Sequence, residues 1–213
     1  GVVVSSDGKI AISASRDSTL NVWDLKSGLV VQTLTGHTSS VNGVAITQDG
    51  SIAVSVSKDR TLKVWDLKSG DVLRTLTGHT RSINRVVIAS DERIIVSASD
   101  DCTIKVWNLK TKATLPSLHD DIGPISGVAI TSDGRVAVAT SGSFEPMVKI
   151  WDLKLGMELG AFEAHHSIPE WKVTVTWDGR VIISERFSQP ASRVWKLENG
   201  VNVRNLDQRS EWR

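Results

Sequence analysis

The stretch Gly36 to Gly70, GHTSSVNGVAITQDGSIAVSVSKDRTLKVWDLKSG, recurs through the chain. It returns almost letter for letter from Gly78-His79 to Lys105-Val106-Trp107, and without its opening residues from Gly1 to Trp23-Asp24. Tryptophan marks the period: Trp23, Trp65 and Trp107 stand 42 residues apart, and Trp151 and Trp195 follow at intervals of 44. Within each copy the residues alternate with period two, which reads as short strands. Val44 to Ile46 is a first strand, and Asp49-Gly50 after it tolerates the positive φ of a tight hairpin. The same pair recurs at Asp7-Gly8, Asp133-Gly134 and Asp178-Gly179, with Asp91-Glu92 in its place in the third copy. Ile52 to Ser57 carries small and β-branched residues on both faces, as a strand covered on both sides would. Lys58-Asp59-Arg60 turns the chain into Thr61 to Trp65, and Lys68-Ser69-Gly70 turns it into Val72 to Leu76.

Four antiparallel strands per period of roughly 40–45 residues, opening on Gly-His and closing on Trp-Asp, is the signature of propeller blades. The chain resembles the WD-repeat β-propeller family over essentially its whole length. The near-identity of its first copies, DxTLxVWDLKSG in copies one and two and DCTIKVWNLKTK in copy three, is similar to bacterial-type WD-repeat arrays attached to signalling, kinase or nucleotide-binding sensor proteins. The expected fold is all-β: one propeller domain over residues 1–213, with four-stranded antiparallel blades at about 1–34, 35–76, 77–117, 118–161 and 162–206 and a tail at 207–213. The tail aligns with the segment before a further blade, and in a closed five-bladed ring it would supply what blade one lacks. Five blades either close into a ring or belong to a larger one; family members commonly have seven.

Lys and Arg number 25 against 24 Asp and Glu, for a net charge of +1 without a basic run, which argues against nucleic acid as the main partner. No apolar run approaches the ~18 residues of a membrane span, and no signal peptide is visible. Cys102 is the single cysteine, so an intrachain disulfide is excluded and a cytoplasmic setting is expected. Residue 1 is Gly rather than Met, which predicts a fragment or a processed chain.

His37, Ser55 and Asp59 recur as His79, Ser97 and Asp101, residue types that can assemble a nucleophile, a base and an orienting group. An active site needs to occur once, whereas this set occurs twice in full and partly again at Ser13 and Asp17. Each set also travels with a tryptophan six residues after its Asp: Trp23, Trp65 and Trp107. The resemblance implies a buried hydrogen-bond chain from Trp to Ser to His to Asp. Such a chain suits the chemistry, because the indole only donates while neutral His both donates and accepts. Blade four departs from the set, with Asp121 for His, Ala139 for Ser and Ser143 for Asp; blade five keeps Ser184 and Trp195 and offers His165 or His166. Those later blades are therefore expected to be the softer ones.

His119-Asp120-Asp121 and His165-His166 lack a zinc spacing, so no metal and no cofactor is expected. Cys102 reads as an exposed neutral thiol in a turn. The resemblance implies a partner-binding top face that includes Arg16, Ser40, Asn42, Lys58, Ser82, Asn84, Asp100, Pro124, Ser126 and Trp171. Trp171, Trp177 and Trp212 fall outside the repeat pattern, and aromatic residues of that kind suit contact sites. The expected function is a non-catalytic scaffold or sensor binding a protein or peptide there. Two alternatives are a small-molecule, sugar-binding or hydrolytic propeller with its ligand in a central channel, and an incomplete propeller that self-associates.

Overall fold

The computed structural model describes residues 1–109, 111, 117–119, 123–141, 147–163, 172–175, 180–184, 193–198 and 202–205. All of its regular structure is β. The first sheet holds β1 (Val2–Val4), β2 (Ile10–Ala14), β3 (Leu20–Asp24) and β4 (Leu29–Leu34). The second holds β5 (Val41–Ile46), β6 (Ile52–Ser57), β7 (Thr61–Asp66) and β8 (Val72–Thr77). The third holds β9 (Ile83–Ile88), β10 (Ile94–Ser99), β11 (Thr103–Asn108) and β12 (Leu118–His119). The fourth holds β13 (Ile125–Ile130), β14 (Val136–Ser141), β15 (Met147–Asp152) and β16 (Met157–Glu163). The fifth holds β17 (Lys172–Val175), β18 (Arg180–Ser184), β19 (Arg193–Glu198) and β20 (Asn202–Asn205). Every sheet is an antiparallel meander in chain order, as expected of a propeller blade.

Strand ends differ from the sequence reading at inner and at outer strands. β5 begins at Val41 rather than Val44, because a bulge between Val41 and Gly43 lets pairing with β6 continue past the break in alternation. The outer strands also overrun the repeat edges: Thr77 closes β8, Leu118 pairs with Ile104 in the third sheet, and β16 reaches Glu163. A repeat period fixes where the pattern restarts, not where hydrogen bonding stops.

Successive sheets face one another, with each first strand packed along the next: β1 on β5, β5 on β9, β9 on β13 and β13 on β17. The contact is close at Gly43. A Cβ at Gly43 would lie 3.2 Å from Val56 Cγ2 and 3.6 Å from the Asn84 carbonyl oxygen. The apolar core lies between sheets. Leu20, Val22 and Leu34 of the first sheet meet Trp65, Val44 and Ile46 of the second. Leu62 and Val64 meet Trp107 and Val86 of the third, and Ile104 and Val106 meet Trp151 and Val128 of the fourth. The positions that seal each junction are exposed on the first sheet, where Val2 is 71% and Val4 50% accessible.

Candidate functional site

Hydrogen bonds define which loops share an end of the blades. Lys58 N–H donates to the Ser40 carbonyl at 3.0 Å, so the hairpin at 58–60 lies beside the Gly-His loop. Ser40 Oγ donates in turn to the Arg16 carbonyl of the preceding blade at 3.1 Å. This is the top end; the Asp-Gly hairpins lie at the other.

In blade two, Trp65, Ser55, His37 and Asp59 are hydrogen-bonded in series. Trp65 Nε1 donates to Ser55 Oγ at 2.8 Å, Ser55 Oγ lies 2.7 Å from His37 Nε2, and His37 Nδ1 lies 2.7 Å from Asp59 Oδ2. Because the indole can only donate, the Ser55 hydroxyl proton goes to Nε2 and the ring proton sits on Nδ1, donated to Asp59. Blade three repeats the geometry with Trp107, Ser97, His79 and Asp101 at 2.9, 2.8 and 2.9 Å. Burial holds the His37 and His79 imidazoles below their ordinary pKa, against the opposing pull of Asp59 and Asp101. Burial also raises the Asp101 carboxyl, but donors from Thr103, Thr80 and His79 outweigh it and bring the pKa to about 2. Asp59 moves down by the same balance. The pair is neutral imidazole and carboxylate, joined by a charge-assisted hydrogen bond.

The chain has a fifth member that the sequence reading left without a role. Thr61 Oγ1 donates to Asp59 Oδ1 at 2.6 Å, and Thr103 Oγ1 to Asp101 Oδ1 at 2.6 Å. The signal was present in the sequence as Asp-x-Thr, which recurs at Asp17-Ser18-Thr19. Blade one keeps the two ends of the chain without its centre: Trp23 Nε1 donates to Ser13 Oγ at 2.9 Å, while Asp17 accepts from Thr19. Blade four keeps less. Trp151 Nε1 is buried with no acceptor among the described residues.

The top-end positions divide by what they touch. Asn42 Nδ2 donates across the blade junction to the Ile83 carbonyl at 2.8 Å and to Ser82 Oγ at 3.1 Å. Asn84 Nδ2 donates to the Ile125 carbonyl at 2.9 Å and to Asp100 Oδ1 at 2.7 Å. Ser126 Oγ donates to the Thr140 carbonyl at 3.3 Å. These side chains, expected as contacts for a partner, tie blades and strands together. Arg16 and Lys58 are exposed, and Pro124 is half-buried. Trp171, His165 and His166 lie outside the described residues. Cys102 is half-buried rather than exposed, in a left-handed turn at φ 64°. Among the described residues, no group of three or more His, Cys, Asp and Glu could hold a metal ion, and no helix is long and apolar enough to cross a membrane.

The family described as WD domain, G-beta repeat matches residues 1–24, 28–66 and 70–108. The Nuclear distribution protein PAC1-2 of Uncinocarpus reesii is 51% identical over 39 residues, which is 18% of this chain and 8% of that protein. The Nuclear distribution protein PAC1 of Arthroderma otae is 49% identical over 39 residues, again 18% and 8%. Each match thus spans a single repeat and a small part of the relative. The repeated Trp-Asp blades, their shared hydrogen-bond chain and the family match agree: the first three blades are repeats of the WD family.

Proposed function

We propose that this chain is a non-catalytic recognition scaffold that binds a protein or peptide at the top end of its blades. WD-repeat domains are in general protein-interaction scaffolds, which supports the reading. The observation that carries it is the state of the Ser-His-Asp sets. The His37 and His79 side chains have no accessible surface, and each Ser Oγ already serves an indole and an imidazole. No substrate reaches these atoms, so they fix loops instead of performing acyl transfer. A satisfied buried network of this kind rigidifies the strands and loops it joins. Rigid blades presenting variable loops are a recognition device.

Selection from a displayed peptide library tests this. Peptides that bind the chain should lose affinity for an Arg16→Glu/Lys58→Glu double variant and keep it for Lys68→Glu at the other end. Equal binding to all three proteins would overturn the reading.

A second reading rests on Val2 and Val4, whose counterparts Val44 and Ile46 pack in the first junction. That apolar face suits another β-sheet, such as one from a second copy. A concentration-independent monomer mass by light scattering would remove it.

A further inference from the structure

The near-neutral net charge conceals a difference between the two ends of the blades. Arg16, Lys58, Arg60, Arg81 and Arg85 are all exposed at the top end of blades one to three. None of them pairs with a carboxylate of the described residues. The carboxylates described at the same end are engaged. Asp59 and Asp101 point inward to His37 and His79, with side chains 7% and 5% accessible. Asp100 accepts from Asn84, and the exposed Asp17 accepts from Thr19.

Arg85 stands apart from the loop cations. It lies on the innermost strand β9, at the position that Gly43 and Gly127 fill in the flanking blades. No side chain from those positions covers it. Its Nη1 donates to the Asn84 carbonyl at 2.9 Å, and this is its one described hydrogen bond. The anchor holds a planar fork whose remaining N–H groups are suited to a carboxylate in the bidentate manner.

We infer that the top end of blades one to three takes an acidic peptide segment, with the Arg85 guanidinium receiving one of its carboxylates. This rests on the top-end reading proposed above and names its partner class. The cations are spread over three loops and an inner strand, without a continuous stripe, and no exposed aromatic accompanies them among the described residues. A single-stranded nucleic acid site would combine such a stripe with stacking side chains. A short acidic segment needs neither. Its binding would weaken as salt rises, because exposed charges are screened beyond a Debye length.

The test is fluorescence anisotropy with a fluorescein-labelled peptide of alternating glutamate and glycine, beside its glutamine counterpart and an oligothymidine. The glutamate peptide should bind in a salt-dependent way and the other two should bind more weakly. Arg85→Glu should weaken it about tenfold or more, which corresponds to about 1.4 kcal/mol or more. Arg85→Gln, which removes the charge with little risk to folding, should give an intermediate loss, and Lys68→Glu none. Equal binding of the two peptides, tighter binding of the oligothymidine, or indifference to Arg85→Glu and Arg85→Gln would each overturn the inference. Library peptides that depend on Arg16 and Lys58 but carry no acidic residues would sink it while leaving the top-end reading intact. Peptides indifferent to Arg16 and Lys58 would sink both.

Discussion

Ala139 and Trp151 share the core between the third and fourth blades, and the alanine stands where Ser55 and Ser97 accept the indole proton in blades two and three. The consequence is a buried Trp151 Nε1 with no acceptor among the described residues. An unmet buried donor carries its full desolvation penalty, about 1–3 kcal/mol.

Ala139→Ser should therefore stabilise the protein. The added hydroxyl supplies the missing acceptor, a gain of about 0.5–1.5 kcal/mol. In a chain of this size that raises Tm by about 1–6 °C. Ser97→Ala should do the reverse, and more strongly. It deprives Trp107 Nε1 of its acceptor and His79 Nε2 of its donor, at about 2–4 kcal/mol. Thermal melts check both. An unchanged or lower Tm for Ala139→Ser would show that the indole is already satisfied.

Acid should unfold the protein in two stages. His37 and His79 stay neutral when folded but protonate in the unfolded chain near their ordinary value of 6.5. Below that pH the unfolded chain binds more protons, so stability falls as pH falls. A second loss follows between 3.8 and about 2, where Asp101 is protonated unfolded but still ionised when folded. Urea midpoints between pH 8 and 5 should therefore slope downward toward acid. His37→Gln/His79→Gln, which cannot titrate, should flatten that slope while lowering stability throughout. An unaltered slope would show that other groups set it.

Backbone strain is concentrated in the hairpins. Ser18, Arg60 and Cys102 hold φ of 75°, 70° and 64° without being glycine, and Glu92 holds 55° where Gly50 and Gly134 fill the equivalent turn. A left-handed conformation costs an L-residue about 1–2 kcal/mol. Ser18→Gly relieves it, offset by the greater freedom of glycine in the unfolded chain, for a net gain of about 0.5 kcal/mol. Glu92→Gly should gain less, because the Glu92 carboxylate accepts from the Gln48 N–H across a blade junction. Denaturant titration ranks the two. The opposite order would mean that the Gln48 contact is worth nothing.

How far the sequence was legible depended on whether a residue's partner lay within its own repeat. Ser55, Asp59 and Trp65 are joined within a blade, so their spacing recurs with the period and points to the buried chain. Asn42 and Asn84 looked like any polar residue at a rim. Their partners, Ile83 and Ile125, lie 41 residues on, in the next blade, and only packing brings them together. The bulge at Val41–Gly43 breaks the two-residue alternation, which hid the start of β5. Arg85 was invisible for another reason: a net charge of +1 carries no information about which end holds the cations.

Those two asparagines give the last prediction. Each amide donates to a main-chain carbonyl of the following inner strand, so each clasps one blade to the next. Removing one leaves a half-buried carbonyl short of a donor, which costs about 1–2 kcal/mol. Asn42→Ala and Asn84→Ala should each lower the urea midpoint, and because the Asn42 acceptor Ile83 adjoins Asn84, the double variant should depart from the sum of the two losses. Hydrogen exchange should quicken at the strands flanking the affected junction, β5 and β9 for Asn42→Ala and β9 and β13 for Asn84→Ala. Were peptide binding lost with no change in midpoint or exchange, the asparagines would belong to the recognition surface after all.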